Sequence, residues 1–196
     1  MKPESFDKYR QERIRCIGFK KRSTVVKNLK LFLFMIYFLN AFIIIASFVL
    51  MEAVAWLMHR FIMHGFLWYL HKDHHIPHNH KLEKNDFFAL IFVIPSWLLM
   101  MFGVMAGCDY KLYMGIGITL YGLCYFLIHD GLIHGRVKFM AKTKNTTLLA
   151  LKYGHIAHHQ HSTKPDYKKE NDVCYGMLWV PLKYFIEARK RKQVTE

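Results

Sequence analysis

Three uncharged apolar stretches set the strongest limit on how this chain can fold. They cover residues 31–51, 87–108 and 112–128, which are 21, 22 and 17 residues long. A helix needs about 20 apolar residues to cross the core of a bilayer, with about 17 as the lower limit. A chain of 196 residues has too few polar side chains to cover three such helices in water. The sequence therefore predicts an all-α, multi-pass membrane protein with about three to four membrane-embedded helices.

The polar segments do not divide the chain into separate globular domains. We expect a basic N-terminal extension over residues 1–30 and a single membrane-embedded domain over residues 31–196. The spans are predicted near residues 31–58, 87–107 and 112–130. No Gly/Ser-rich linker and no internal repeat interrupts this order.

The two ends of the chain are basic. The extension also carries acidic residues and has no small-residue cleavage site, so neither a transit peptide nor a secretory signal is predicted. A short apolar stretch containing Pro181, followed by a basic tail, predicts an interfacial segment near residues 173–186.

Composition excludes several classes of protein. The chain is 53% hydrophobic, which excludes a disordered or collagen-like protein. Its 28 Lys and Arg residues lie mainly at the ends, so the net charge of +14 does not predict a nucleic-acid partner. The four cysteines are too scattered for a CxxC motif, an iron–sulfur set or a disulfide framework.

Histidine is the other unusual feature of the composition. Ten of the 13 histidines form four clusters, in which an H-x4-H pair and an H-x2-HH triplet each occur twice. The clusters are His59 and His64; His71, His74 and His75; His129 and His134; His155, His158 and His159. The remaining three, His78, His80 and His161, have no such spacing and are interpreted as bystanders.

The spacings carry geometric information. In an α-helix, residues i, i+3 and i+4 share a face, so each H-x2-HH triplet offers convergent imidazoles. An H-x4-H pair points about 140° apart in a regular helix, so it suits either two metal ions or a helix that breaks. An unbroken helix would separate His64 from His75 by about 16 Å, so we expect a turn near Gly65.

Topology brings the clusters to one side of the membrane. The first pair follows the first span, the second pair follows the third, and the second span runs in the opposite direction. Neutral imidazole binds zinc, copper, iron and nickel, and ten imidazoles predict two metals with four or five ligands each. The absence of H-E-x-x-H argues against a metalloprotease. A divalent-metal transporter or sensor stays an alternative, although its site is expected near the bilayer midplane.

The motifs around the histidines identify a family resemblance. They are MEAVAWLMHRFIMHG at residues 51–65, HHIP at 74–77, KNDFFA at 84–89 and YGLCYFLIHDGLIHGR at 121–136. With the order of the four clusters, they resemble the bacterial-type β-carotene hydroxylases, a branch of the fatty acid hydroxylase superfamily. The resemblance covers about residues 41–188, and residues 1–30 lie outside it.

This resemblance implies a membrane non-haem di-iron monooxygenase that uses O2 and hydroxylates carbon 3 of β-ionone rings. The implied conversions are β-carotene to β-cryptoxanthin to zeaxanthin, with canthaxanthin to astaxanthin as a further one. The ten clustered histidines would hold the two irons, in a helical cap, with no catalytic residue beyond these ligands. Other members of the superfamily, such as a carotenoid ketolase, a lipid hydroxylase or a desaturase, stay open as alternatives.

The substrate and the electrons come from outside the chain. A carotenoid would enter from the bilayer. No GxGxxG or flavin motif is present, so an external donor such as ferredoxin with its reductase is expected. Basic residues in 138–152 and 183–192 could dock an acidic carrier, but anionic lipid headgroups explain the same charge.

The positive-inside rule puts the histidine side in the cytosol. Together with this orientation, the resemblance to bacterial-type enzymes implies the bacterial cytoplasmic membrane as the location. Three spans would then leave the basic N-terminal extension outside, against the same rule, so the side of the N-terminus stays open.

Spacing also suggests supporting residues. Glu52 lies seven residues before His59 and Asp130 follows His129, so both could orient a ligand. A helix-end position is equally compatible with Glu52, and simple solvation is favoured for Asp73 and Asp130. Several aromatic side chains could line a substrate path, but packing is favoured, and no substrate-binding residue is assigned. These aromatic residues are Phe88, Trp97, Tyr121, Tyr125 and Phe126.

Overall fold

The computed structural model describes four segments of the chain, which are residues 3–76, 83–137, 143–161 and 174–195. Side chains are described from residue 24 onward within these segments, up to residue 192 and without that of His161. The predicted bystanders His78 and His80 lie outside the described residues. The described segments are helical or irregular and contain no strand, so the all-α fold class is confirmed.

Six α-helices and two π-helices form the described structure. The α-helices are α1 (Pro3–Leu57), α2 (Trp68–His71), α3 (Phe87–Met105), α4 (Tyr110–Tyr125), α5 (Thr146–His161) and α6 (Leu182–Thr195). A first π-helix, Met58–Phe66, follows α1, and a second, Phe126–Ile133, follows α4. Two 3₁₀ turns, Lys72–His75 and Lys84–Asp86, lie between α2 and α3.

Three helical stretches are long and apolar enough to cross a membrane. They are Thr24–Phe66, Lys84–Met105 and Tyr110–Ile133. Side chains are described only from residue 24, so the first residue of this stretch does not test the predicted start at residue 31. The prediction of three membrane helices is therefore confirmed.

The chain forms two compact units, residues 1–42 and 43–196. The first is described as helix throughout residues 3–42, and the second contains every clustered histidine. The predicted division into an extension and a domain at residue 30 stays a prediction.

Glycines allow the spanning helices of the second unit to approach closely. A Cβ atom at Gly103 of α3 would lie 2.2 Å from the backbone nitrogen of Leu112, and one at Gly115 of α4 would lie 2.7 Å from the Ser96 carbonyl oxygen. A Cβ at Gly117 would lie 2.5 Å from the Ile44 carbonyl oxygen of α1. Close packing of this kind is typical of small residues at membrane helix interfaces.

The C-terminal part folds back onto the protein. Helices α5 and α6 share a core in which Ala150, Leu151 and Ala188 are buried. The predicted interfacial segment is irregular over residues 174–181, where Tyr175 and Met177 are buried and Trp179 is 78% exposed. The segment therefore packs against the protein through Tyr175 and Met177. Its contact with lipid headgroups stays a prediction.

Candidate metal centre

The first H-x4-H pair lies within the first π-helix, whereas in the second pair His129 lies in the second π-helix and His134 follows its last residue. A π-helix joins residue i to residue i+5, so residues five apart share a face. The backbone N–H of His134 accordingly donates to the carbonyl oxygen of His129 at 2.9 Å. The first π-helix ends in a kink at Gly65, with φ −96° and ψ −123°. The predicted turn near Gly65 is confirmed.

The clustered histidines gather into two neighbouring groups of potential metal ligands. Within each group, the ligand nitrogens all lie within 4.8 Å of one another. The five-histidine group consists of His59, His64, His71, His75 and His158. The four-histidine group consists of His74, His129, His134 and His155. Each H-x4-H pair falls within one group, so the interpretation in which a pair serves two ions is wrong.

The H-x2-HH triplets, in contrast, are divided between the groups. His71 ends α2, and the 3₁₀ turn that follows directs His74 into the four-histidine group and His75 into the other. In α5, His155 and His158 are divided in the same way. The imidazoles of a triplet therefore lie close together without converging on one ion.

His159 is the only clustered histidine outside both groups, but it contacts each of them. Its Nε2 atom lies 2.8 Å from Nε2 of His155. Its ring is stacked on that of His75, with the ring centroids 4.4 Å apart.

The outer nitrogens of four histidines are fixed by hydrogen bonds. In the five-histidine group, Nδ1–H of His59 donates to the Tyr175 carbonyl oxygen at 2.9 Å, and that of His71 donates to Oδ1 of Asn85 at 2.6 Å. In the four-histidine group, the acceptors are carboxylates. His74 donates to Glu83 at 2.7 Å and His129 donates to Asp130 at 2.9 Å.

These bonds determine what the inner nitrogens can do. A neutral imidazole that donates through Nδ1 has only a lone pair on Nε2. Yet Nε2 of His59 lies 3.1 Å from Nε2 of His71, and Nε2 of His74 lies 3.0 Å from Nε2 of His129. In each pair the two Nε2 lone pairs therefore face each other and repel, and a cation bound by both nitrogens removes this repulsion. Nitrogens bound to one ion at about 2.1 Å lie about 3 to 3.4 Å apart, so the donor sets fit a divalent metal.

Burial keeps the imidazoles neutral. Removal from water, with a smaller contribution from the charges of neighbouring histidines, lowers the pKa of His71 and of His75 to about 2 and that of His159 to about 4. Burial likewise holds the pKa of His155 and of His158 well below the usual value. The neutral form is the one that binds metals.

Several supporting residues were not found by sequence reasoning. Asn85 lies in the KNDFFA motif but was given no role, and Glu83 precedes it. Tyr175 acts through its backbone, which leaves no signal in the sequence. Arg136 lies 2.9 Å from Glu83 and 3.9 Å from Asp130, so it balances the charge of the carboxylates behind the four-histidine group.

The expectation of simple solvation is wrong for two aspartates. Asp130 accepts the hydrogen bond from His129 described above. Asp73 accepts the backbone N–H of Lys84 at 2.7 Å, which ties the two 3₁₀ turns together.

Glu52 supports the centre indirectly. One of its carboxylate oxygens accepts the backbone N–H groups of Met177, Leu178 and Trp179 at 2.8, 2.9 and 3.0 Å. The other accepts the hydroxyl of Tyr121 at 2.8 Å. Glu52 therefore holds the irregular segment 174–181, and this segment presents the Tyr175 carbonyl to His59. Of the two roles left open for Glu52, support of a ligand is the one observed, and it acts through this longer connection.

Comparison with known proteins agrees with the geometry. The family model described as fatty acid hydroxylase matches residues 44–178, a range that contains all ten clustered histidines. The chain belongs to the fatty acid hydroxylase family. No solved structure gives a significant match.

The curated relatives of this family member include several proteins named beta-carotene hydroxylase. The one from Pantoea ananas is 35% identical over 159 residues, which cover 81% of this chain and 87% of the relative. The one from Pseudescherichia vulneris is 41% identical over 120 residues, which cover 61% and 68%. A plant relative, beta-carotene hydroxylase 2 of Capsicum annuum, is 32% identical over 136 residues, which cover 67% and 41%. The recognition of this branch from its motifs is confirmed.

Proposed function

We propose that the chain is a membrane-bound, non-haem di-iron monooxygenase that hydroxylates carbon 3 of β-ionone rings in carotenoids. The proposed conversions are β-carotene to β-cryptoxanthin to zeaxanthin, and canthaxanthin to astaxanthin. The observation that carries the proposal is the pair of opposed lone pairs in each histidine group. The similarity to beta-carotene hydroxylases over most of the chain supports the choice of substrate.

All ten clustered histidines act as ligands in this proposal. The five-histidine group would hold one iron, and the four-histidine group together with His159 would hold the other. The 2.8 Å contact between His159 and His155 supports this assignment.

Two irons held by these histidines would provide a site where O2 is reduced with electrons from an external donor, and this chemistry would oxidise an unactivated C–H bond that side chains alone cannot attack. The protein keeps the ligands in the required state. Four imidazoles donate a hydrogen bond from Nδ1–H, which leaves the Nε2 lone pair of each available to a metal. The acceptors are Tyr175, Asn85, Glu83 and Asp130. Burial of these imidazoles excludes competing water.

Electrons would come from an external carrier such as ferredoxin with its reductase. The basic residues of α6 and of residues 143–152 offer an acidic carrier a docking surface, and part of the predicted basic region, residues 138–142, lies outside the described residues. The protein would lie in the bacterial cytoplasmic membrane with the centre facing the cytosol, because the histidine side carries most of the Lys and Arg beyond the extension.

Expression in a bacterium that accumulates β-carotene tests the proposal, with the pigments separated by chromatography. We expect β-cryptoxanthin and zeaxanthin with the native chain. Their loss is expected with His71→Ala and with His158→Ala, each measured beside His161→Ala, a predicted bystander. Unchanged pigment in cells that contain the inserted native protein would refute the assignment.

Metal analysis separates the enzyme from a transporter or sensor. A hydroxylase is expected to contain two irons per chain and to convert the pigment. A transport site is expected near the bilayer midplane, whereas His59 and His129 lie near the ends of their spanning helices. Metal binding without pigment conversion would favour the transporter or sensor.

A further inference from the structure

A cavity of about 520 Å³ lies among the spanning helices of the second unit. Its walls come from the end of α1, from α3 and from α4 with the second π-helix. His59 and His129, one from each histidine group, form part of its lining. The volume is within the range of about 300–1,000 Å³ that is typical of small-molecule sites. The cavity therefore gives a ligand access to both halves of the candidate metal centre.

The cavity exists because α3 and α4 diverge. Gly115 and Gly122 are seven residues apart on α4, which is close to two helical turns, so they face nearly the same direction. At Gly115 a Cβ atom would lie 2.7 Å from the Ser96 carbonyl oxygen of α3, but at Gly122 a Cβ would meet no atom within 4 Å. The two helices thus touch at the end far from the histidines and separate toward them.

The gap between the helices opens sideways. Val93 and Trp97 of α3 and Leu123 of α4 line the cavity and are 56%, 56% and 53% exposed. The opposite side of the lining is closed, since Phe88 and Tyr121 are 4% and 3% exposed. Because the exposed residues lie within the apolar spans, the opening faces the hydrocarbon of a bilayer.

The lining is suited to an apolar molecule. The hydroxyls of Ser96 and Thr119 donate to the carbonyl oxygens of Val93 and Gly115 in their own helices, at 2.9 and 2.8 Å. Their donors are therefore already used. The aromatic side chains for which packing was favoured from the sequence also line the cavity, namely Phe88, Trp97, Tyr121, Tyr125 and Phe126.

The cavity is elongated along the helices. Its α3 lining extends from Phe88 to Met100, a rise of about 18 Å along the helix. β-Carotene is a rod about as long as the hydrocarbon core of a bilayer is thick, about 30 Å. A cavity of this length holds one ring and the adjoining part of the polyene, and the rest of the molecule remains in the lipid.

We infer that this cavity binds one ring end of the carotenoid, which enters from the bilayer between α3 and α4, and that Gly122 keeps the entrance open. The inference rests on the proposed function and adds its substrate site. A bulky side chain at position 122 would project into the gap that the ring must pass.

Substitution of Gly122 tests the inference in β-carotene-accumulating cells. We expect Gly122→Phe to lower the sum of β-cryptoxanthin and zeaxanthin about tenfold or more, with an intermediate loss for Gly122→Leu. Leu120→Phe is the matched control, because Leu120 is 43% exposed on the same helix and does not line the cavity. The sum of β-cryptoxanthin and zeaxanthin formed by this variant should stay within about twofold of that formed by the native chain. Iron content per purified chain is measured for each variant, and we expect it to be unchanged.

The outcomes distinguish this inference from the function on which it rests. Full pigment conversion by a correctly inserted Gly122→Phe variant would overturn the inference and leave the hydroxylase assignment intact, with a lipid chain as the occupant of the cavity. Equal losses in Gly122→Phe and Leu120→Phe, or a loss of iron in the former, would also overturn it. A native chain that forms no hydroxylated carotenoid would overturn the proposed function itself.

Discussion

The five-histidine and four-histidine groups use the same ligand but are supported differently. Behind the five-histidine group the acceptors are neutral, a backbone carbonyl and the Asn85 amide. Nδ1 of His75 and of His158 is buried without a hydrogen-bond partner among the described residues. Behind the four-histidine group the acceptors are the carboxylates of Glu83 and Asp130.

This difference predicts two unequal metal sites. A carboxylate behind an imidazole makes the imidazole a more basic ligand, and loss of such a partner commonly costs about 10- to 100-fold in metal affinity. We therefore expect the four-histidine group to hold its ion more tightly. The five-histidine group depends instead on the position of the segment 174–181, which Glu52 fixes.

The largest effect is expected for Glu52→Ala. Three backbone N–H groups would lose their acceptor, which predicts a loss of about 3 kcal/mol or more in the free energy of unfolding. The midpoint of thermal unfolding in detergent should fall by about 6–12 °C. Iron should be lost mainly from the five-histidine group, because the carbonyl that orients His59 is displaced.

Glu187→Ala is the control for this change. Glu187 forms an exposed pair with Arg191 on α6, and its loss should change the free energy of unfolding by less than about 0.5 kcal/mol. If Glu52→Ala released iron equally from both groups, the proposed dependence of one group on this segment would be wrong.

Asp130→Asn should affect the opposite group. The neutral amide supports His129 less well than the carboxylate, so we expect the affinity of the four-histidine group for iron to fall about 10- to 100-fold. Competition with a chelator measures this loss. Asp109→Asn is the matched control, because Asp109 caps α4 through a backbone N–H that asparagine also accepts. An unchanged affinity in Asp130→Asn would remove the basis for unequal sites.

The sequence located the histidines but not their division. The four clusters and the turn at Gly65 could be predicted from spacing and topology alone. The π-helices could not, because an H-x4-H spacing is equally compatible with a regular helix that serves two ions or with a broken helix, so the spacing does not select i→i+5 hydrogen bonds. Consequently, the assignment of His74 and His75 to different groups required the structure.

The supporting residues show the same limit. Glu52 could be identified as unusual because a carboxylate is costly within an apolar span unless it is paired. Three of its four partners are backbone N–H groups 125 to 127 residues away in the sequence, and no side-chain pattern identifies these. Residues that act through their backbone, such as Tyr175, are not detectable from residue type.

Asn85→Asp should make the two groups more alike. The new carboxylate would lie behind His71, where the amide oxygen is now 2.6 Å from Nδ1. We expect the five-histidine group to bind iron more tightly, by up to about tenfold, in the same chelator competition. Asn85→Ala removes the hydrogen-bond acceptor of His71 and should weaken iron binding by the five-histidine group. Equal iron affinities in Asn85→Asp and Asn85→Ala would show that the acceptor behind His71 does not determine the affinity of this group.

The smallest effect is expected for Arg136→Gln. Arg136 contacts Glu83 and Asp86 at 2.9 and 3.3 Å but is partly exposed, and pairs of this kind contribute about 0–1 kcal/mol. The free energy of unfolding should fall by about 1 kcal/mol or less. If the free energy of unfolding fell as much as in Glu52→Ala, the charges around the four-histidine group would contribute more to the stability of the centre than the hydrogen bonds of Glu52 to the segment 174–181.

Titration of the metal-free protein with ferrous iron in the absence of oxygen tests the central claim most directly. We expect two irons per chain, bound in two separate steps. Asp130→Asn should weaken the tighter step and Asn85→Ala the weaker one. Binding of a single iron, or two steps that neither substitution alters, would contradict the existence of two unequal histidine sites.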